Sequence, residues 1–351
     1  MLAAVLHAAH DLRVEDRPDR DLLPGEARVR VACGGICGSD LHYFHRGGVG
    51  DFTLREPLVP GHELSGTVCE VAPHPDLPAA GLPPVGTRVA INPARPCLRC
   101  RFCREGRSNL CRHMRFLGSA ALMPHVQGGF CEAVVVRADQ CVPIPDALSF
   151  RTAACAEPLA VALHAASRAG TLVDARVLVT GAGPIGLLCA LACSRAGAAA
   201  VTVTDLSPEP LRVAAAMGAT AAVDVRAEPD RLAAEARAIG GFDVAIEATG
   251  APAAAAQLPT LVRPGGRIVQ LGMLPPGGIE LPLNLLMARE IDLVGSFRFH
   301  EAFDRAVSAL ADGRLDVSPI LSARFPLAEA PAAFVLAGDR GRAIKVHLDI
   351  G

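Results

Sequence analysis

The sequence predicts an α/β chain in which a strand-rich first part precedes a doubly wound parallel sheet. Two observations carry that expectation. Residues 1–150 are rich in Pro and Gly and hold short β-branched runs bounded by turn formers, such as Ala27–Cys33, Gly66–Val71 and Val134–Arg137. Residues 151–295 alternate apolar strands with helical stretches, as expected for buried parallel strands covered by helices. The strands fall at 176–180, 201–205, 242–249 and 267–272, with helices over about 184–196 and 208–217. Residues 296–351 hold amphipathic helices near 300–311 and 328–337 and a last strand at Ala343–Leu348. This segment is too short for a domain of its own and is expected to fold back onto the first part.

Bulk properties narrow the function. A chain of 351 residues that is 51% hydrophobic has the length and the core for two domains. A net charge of −2 without a basic run argues against a nucleic-acid partner. The most apolar stretch, Leu187–Val203, is broken by Arg195 and falls short of the roughly 20 apolar residues of a membrane span. Met1–Asp11 lacks the apolar run of a secretory signal, so a cytoplasmic location is expected. The 12 cysteines are then thiols in a reducing compartment.

The turn after the strand 176–180 reads Gly181-Ala-Gly183-Pro184-Ile185-Gly186 and opens a helix. Gly181 permits the tight turn, Gly183 lets backbone approach a pyrophosphate, and Gly186 lets helix and strand pack closely. The helix start then offers free N–H groups and a positive dipole end to phosphates. Such a motif alone is weak, but here Asp205 ends the next strand, where a carboxylate accepts hydrogen bonds from ribose hydroxyls and repels a 2′-phosphate. The cofactor expected is NAD rather than NADP.

Cys97-x2-Cys100-x2-Cys103-x7-Cys111 is the sharpest signal. Four thiolates so close in sequence close a tetrahedron on Zn²⁺ and leave no open position, which makes a structural site. A second donor set is spread along the chain: Cys37, His62 with Glu63, and Glu157. Sulfur, imidazole and carboxylate together suit Zn²⁺ with one position left for water or substrate.

Taken together, these residues resemble the zinc-containing medium-chain alcohol dehydrogenases over essentially the whole chain. The resemblance rests on Cys-Gly-Ser-Asp-x-His at 37–42, Gly-His-Glu at 61–63, the four-cysteine loop, Glu-Pro-Leu at 157–159 and the Gly-rich turn. It implies a GroES-like β-barrel catalytic domain with both zinc sites at 1–150 and a Rossmann dinucleotide-binding domain at 151–295. Residues 296–351 would return to the catalytic domain. Cys37–Phe52 and the Gly-Ser-Phe-Arg-Phe segment at 295–299 are similar to the polyol dehydrogenase branch, above all to its L-idonate 5-dehydrogenases. In that branch the Glu of Glu-Pro-Leu takes the zinc-side position, a role that carries over to Glu157 and leaves Cys155 as a buried structural thiol. Whether Glu63 and Glu157 both meet the metal stays open. One departure concerns the adenine side: sorbitol dehydrogenase-like sequences often place an Arg five residues after the ribose-binding acid, and here Pro210 stands there.

The resemblance implies oxidation of a secondary hydroxyl on a small-molecule polyol or sugar acid. L-Idonate to 5-keto-gluconate is the leading expectation, with sorbitol or xylitol oxidation as the alternative. A non-catalytic zinc and dinucleotide-binding protein would lack part of the catalytic set, and the whole set is present. With zinc as a Lewis acid on the substrate oxygen, hydride is expected to pass from substrate carbon to nicotinamide. Ser39 and His42 are expected to relay the proton to solvent. Tyr43 is expected to line the pocket and hydrogen-bond a substrate hydroxyl. Arg298 offers a planar fork of donors to hydroxyls or a carboxylate. Arg46 and His45 are expected to add positive charge, and Gly272 and Phe297 to lie against the cofactor. The family also implies a homo-oligomer, a dimer or a tetramer, joined through edge strands of the dinucleotide domain.

Overall fold

The computed structural model describes residues 1–74 and 82–351. Two sheets organise it. The first has seven strands, in the path 141–143, 88–91, 63–71, 26–35, 345–349 and 321–326, with 133–137 pairing the 26–35 strand off this path. The strand Glu26–Gly35 is shared: its first half pairs with Ala133–Arg137 and its last residues with Lys345–Asp349. Its alternating apolar residues Ala27, Val29 and Val31 are fully buried, so one face of this strand carries the core of the first domain.

The second sheet has six parallel strands in the order 221–224, 200–205, 176–180, 242–247, 262–270 and 292–295. The order reverses beside Arg176–Thr180, which makes a topological switch point at the end of that strand, where such sheets bind ligands. The helix Pro184–Arg195 buries residues nearly all round, from Gly186 to Cys193, which explains its lack of a polar face.

Three expectations are adjusted. The helix expected over 208–217 is regular only at Pro208–Leu211. Beyond it the chain winds on through turns held mainly by i to i−3 bonds, such as Arg212 N–H to the Glu209 carbonyl and Ala214 N–H to the Leu211 carbonyl. The strand expected at 267–272 starts earlier, at Val262, and stops at Gln270. The C-terminal segment also divides. Its strands Leu321–Pro326 and Lys345–Asp349 join the first sheet, while its helix Ala302–Ala311 packs on the helix Ala156–Arg168 and shares the core that spans both domains. The apolar stripe Phe303, Ala306, Val307 and Leu310 needs a partner face, and the apolar face of 156–168 is the one available.

Candidate active site

Strand register assembles the donor set. Gly35 pairs with Glu63 on one side and with His347 on the other. Cys37, two residues past Gly35, is the N-cap of the helix Gly38–Arg46, and His62 immediately precedes the 63–71 strand. Residues 25 apart in sequence thus arrive side by side. Asp40 fastens them: its carboxylate accepts the Cys37 N–H at 2.9 Å and the Gly61 N–H at 3.2 Å, and lies 3.7 Å from His62 Nδ1. Gly61 sits at φ 97, and a Cβ there would strike the Phe130 ring, so only glycine leads the chain into His62.

The ligand atoms of Cys37, His62 and Glu63 lie within 4.8 Å of one another. Glu157 comes from the first turn of the helix Ala156–Arg168 and is also buried. Burial pushes its carboxyl up to about 8, with His62 opposing and Cys37 and Glu63 adding to the shift. Burial likewise pushes the Cys37 thiol up to about 11. Such groups ionise near neutrality only beside a compensating cation, and this soft and hard donor mixture fits Zn²⁺. Cys37, His62 and Glu157 all line one cleft of about 780 Å³. Glu63 lies behind it, with both carboxylate oxygens 2.7 Å from Lys345 Nζ. The geometry therefore separates the two acids: Glu157 faces the cleft, and Glu63 is held by a buried ammonium.

The four-cysteine loop also fits its metal. The four sulfurs of Cys97, Cys100, Cys103 and Cys111 lie within 4.8 Å of one another. Backbone N–H groups already point at sulfur, Cys97 and His113 at Cys111 and Cys100 at Cys97. Backbone hydrogen bonds from Cys103 and Arg112 hold the Cys100 thiol down to about 6, as a thiolate site requires.

The Gly-rich turn borders the same cleft through Ile185. Gly181 has φ 91, and a Cβ on Gly186 would run into the Gly181 carbonyl oxygen. Gly183 caps the helix and Pro184 opens it, with Ile185 on the cleft wall. The Asp205 carboxylate accepts the Ala182 N–H at 2.7 Å and the Ser207 N–H at 2.9 Å, which ties it to the Gly-rich turn. Gly272 and Phe297 line the cleft farther along. Beside Phe297, Ser296 Oγ is buried without a hydrogen-bond partner among the described residues, an orphan a bound amide or hydroxyl satisfies.

Ser39 and His42 line the cleft on the helix that starts at Cys37. Burial lowers the His42 pKa, and Arg46, Arg340 and His45 lower it further, which keeps the ring neutral and able to accept a proton. Tyr43 lines the cleft too, but it is only 3% exposed and its phenol oxygen accepts the Ala120 N–H at 3.0 Å. A phenol that accepts this bond keeps its O–H as a donor, and the Tyr43 ring forms part of the cleft wall. His45 does not line the cleft and packs at a tilt and edge-on against His10 and Phe44, whereas Arg46 stays at the cleft. Arg298 is sandwiched between Phe116, 4.3 Å from its guanidinium, and Phe297, at 4.9 Å. Burial draws its pKa down to about 10 while Glu157 and Tyr43 hold it up, so it stays charged and faces the donor set. Its backbone is left-handed, at φ 54, a conformation costing roughly 1–3 kcal/mol for such a residue.

Sequence reasoning missed Asp40, Phe116, Lys345 and Arg340. Only Asp40 carries a local signal, as an acid at the third helical position after a capping residue. Cys155 is buried, 3.7 Å from His347 Nε2, with its thiol pushed to about 12 by burial.

Comparison with known proteins identifies the family. Residues 23–146 match the alcohol dehydrogenase GroES-like domain, and residues 184–312 match the zinc-binding dehydrogenase domain. The chain is 43% identical to the L-idonate 5-dehydrogenase (NAD(P)(+)) of Escherichia coli K12, covering 91% of this chain and 90% of that one. It is 38% identical to the sorbitol dehydrogenase of Gallus gallus, covering 99% and 96%. The crystal structure of the Escherichia coli L-idonate 5-dehydrogenase superposes with a TM-score of 0.91 at 39% identity, over 99% of this chain and 97% of that one. A zinc-binding dehydrogenase of Sinorhizobium meliloti 1021 bound to NADP superposes with a TM-score of 0.88 at 32% identity, over 99% and 98%.

Proposed function

The chain belongs to the zinc-dependent, nicotinamide-dependent medium-chain alcohol dehydrogenases, and from that premise we propose that it oxidises a sugar acid, L-idonate, to 5-keto-gluconate with NAD⁺. The observation that carries this reading is the charge of the cleft. Apart from Glu157, its ionisable lining outside Cys37 and His62 is His42, Tyr43, Arg46, Arg298 and Arg340, so among the described residues no second acid stands there to repel a carboxylate. Cys37 and His62, with Glu157 beside them in the cleft, would hold a zinc ion, which would supply Lewis acidity to the substrate oxygen. Arg298 orients substrate through its donor fork, and Phe116 and Phe297 hold that fork in place. Ser39 and His42 take the hydroxyl proton towards solvent. The Gly181–Gly186 turn and Asp205 seat the dinucleotide, with Gly272 and Phe297 beside it.

A panel of L-idonate, sorbitol and xylitol with NAD⁺, read at the nicotinamide absorbance, tests the substrate. The expected kcat/KM for L-idonate exceeds that for sorbitol by tenfold or more; the opposite ranking makes the protein a polyol dehydrogenase. Asp205 tests the cofactor. The variant Asp205→Ser is expected to raise the KM for NAD⁺ about tenfold and improve NADP⁺, because the charge facing the 2′-position is gone. An unchanged NAD⁺/NADP⁺ ratio places cofactor selection elsewhere.

The same reading assigns residues 1–150 to catalysis, 151–295 to the dinucleotide and 296–351 to the return, with the last two strands in the first sheet as its support. It includes a cytoplasmic location, where a four-thiolate loop stays reduced. Among the described residues no helix is long and apolar enough to cross a membrane. It also includes a homo-oligomer, with a tetramer as the expected state. The strand Asp292–Gly295 is an open sheet edge, and Leu293 is exposed on it, with Leu283 and Met287 exposed on the preceding segment. Light scattering is expected to give at least a dimer, and Leu293→Arg with Met287→Glu a smaller species. A monomeric parent protein overturns this part.

A further inference from the structure

Arg298 hangs on a short segment whose two ends are well held. Upstream, Ser296 N–H donates to the Gln270 carbonyl of the parallel sheet. Downstream, Phe299 is buried in the core. Between them the peptide joining Phe297 to Arg298 lies beyond the end of the 292–295 strand, and Arg298 itself is left-handed. That peptide takes its hydrogen bond from the zinc loop: Asn109 Nδ2 donates to the Phe297 carbonyl at 3.1 Å. One residue earlier, Ser108 Oγ lies 3.1 Å from His300 Nδ1. The two contacts therefore straddle Arg298. Asn109 is buried, and the turn Ser108–Leu110 that carries it runs directly into Cys111, the fourth thiol of the loop.

The other side of the sandwich comes from the same place. Phe116 belongs to the strand Arg115–Phe116, which pairs with Ala94–Arg95 just before Cys97. Both aromatic faces on the Arg298 guanidinium are thus tied to the four-cysteine loop, one through the strand pair at its base and one through Asn109. We propose that Asn109 is a positioning residue for substrate binding: its amide sets the 297–298 peptide plane and so holds the Arg298 guanidinium over the open side of the donor set. Rotation of that peptide carries Arg298 out of the gap between Phe116 and Phe297 and away from Glu157. The four-cysteine loop then has a role in the cleft besides its own fold, although no ligand position there meets substrate. This inference rests on the reading of Arg298 as a substrate contact.

A double-mutant cycle tests it, with L-idonate, sorbitol and 2-butanol as substrates. The last carries a secondary hydroxyl and nothing for Arg298 to hold. For Asn109→Ala, the KM for the better polyhydroxy substrate is expected to rise about tenfold with a smaller change in kcat. The KM for NAD⁺, the zinc content and kcat/KM for 2-butanol are expected to stay within about twofold. Combined with Arg298→Ala, the Asn109 substitution is expected to add no further loss, since the two residues act as one unit. Multiplying effects, or an equal loss on 2-butanol, overturn the inference while leaving the role of Arg298 intact. An Arg298→Ala enzyme with unchanged polyol kinetics overturns both. If Asn109→Ala loses zinc or fails to fold, His300→Ala removes the second tether from outside the loop. It is then expected to raise the same KM and to show the same coupling to Arg298→Ala; full activity, or independence from Arg298, overturns the inference.

Discussion

The variant His62→Ala is expected to fall from about two zinc ions per chain to about one and to lose kcat/KM by about a thousandfold or more, with little change in melting temperature. The expectation follows from the separation of the two donor sets. His62 is 5% exposed, stands with Cys37 and Glu157 in the cleft, and is oriented by Asp40. Its loss leaves too few donors to hold a cation there. The four thiols from Cys97 to Cys111 do not involve it and keep their own metal. Cys37→Ala is expected to behave alike. Elemental analysis of the purified variants, with kinetics on the same preparation, checks both numbers. A variant that keeps about two zinc ions and works within tenfold of the parent removes the cleft as the centre of chemistry.

The second large effect concerns stability. Lys345→Met is expected to destabilise the protein by about 3–5 kcal/mol, a melting temperature lower by roughly 5–10 °C. Lys345 is 2% exposed and Glu63 is 1% exposed, and the ammonium meets both carboxylate oxygens and the Ile36 carbonyl. Burial alone would pull the Lys345 pKa down, but Glu63, with help from Cys37 and Cys155, raises it, so the charge is kept. Removing the lysine strands a carboxylate in the interior beside Cys37 and His62. Adding Glu63→Gln to Lys345→Met removes the stranded charge and is expected to recover part of the loss. Thermal melts of the two variants decide it; a Lys345→Met protein that melts within a degree or two of the parent shows that Glu63 finds other compensation.

Much of this protein can be read from short-range patterns. The four cysteines from 97 to 111 form one loop, so their spacing alone brings four sulfurs together. The turn 181–186 acts through backbone conformation, and the glycines that permit it are visible as letters. The cleft is different. Arg298 is legible as a charged residue after a strand, but its left-handed backbone, its seat between Phe116 and Phe297 and its tether to Asn109 are contacts made across the fold. Tyr43 likewise gains a contact its position beside the motif at 37–42 does not reveal: the Ala120 N–H, from a distant loop, donates to its phenol oxygen. The segment 208–217 is a regular helix only at Pro208–Leu211, where two prolines stand at its start, and turns carry the rest.

Sequence by itself therefore determined the α/β class, the four-cysteine loop and the Gly-rich turn, because each depends on chemistry within a few residues of chain; the donor set spread over Cys37, His62, Glu63 and Glu157 came from the family resemblance. Only the tertiary structure showed what holds the other acid, Glu63. The motif at 157–159 already singled out Glu157, but only strand pairing brings Lys345 against Glu63, while Glu157 lines the cleft from a helix start. The difference comes from contacts between residues hundreds of positions apart, whose register is set by how two sheets bury their apolar faces.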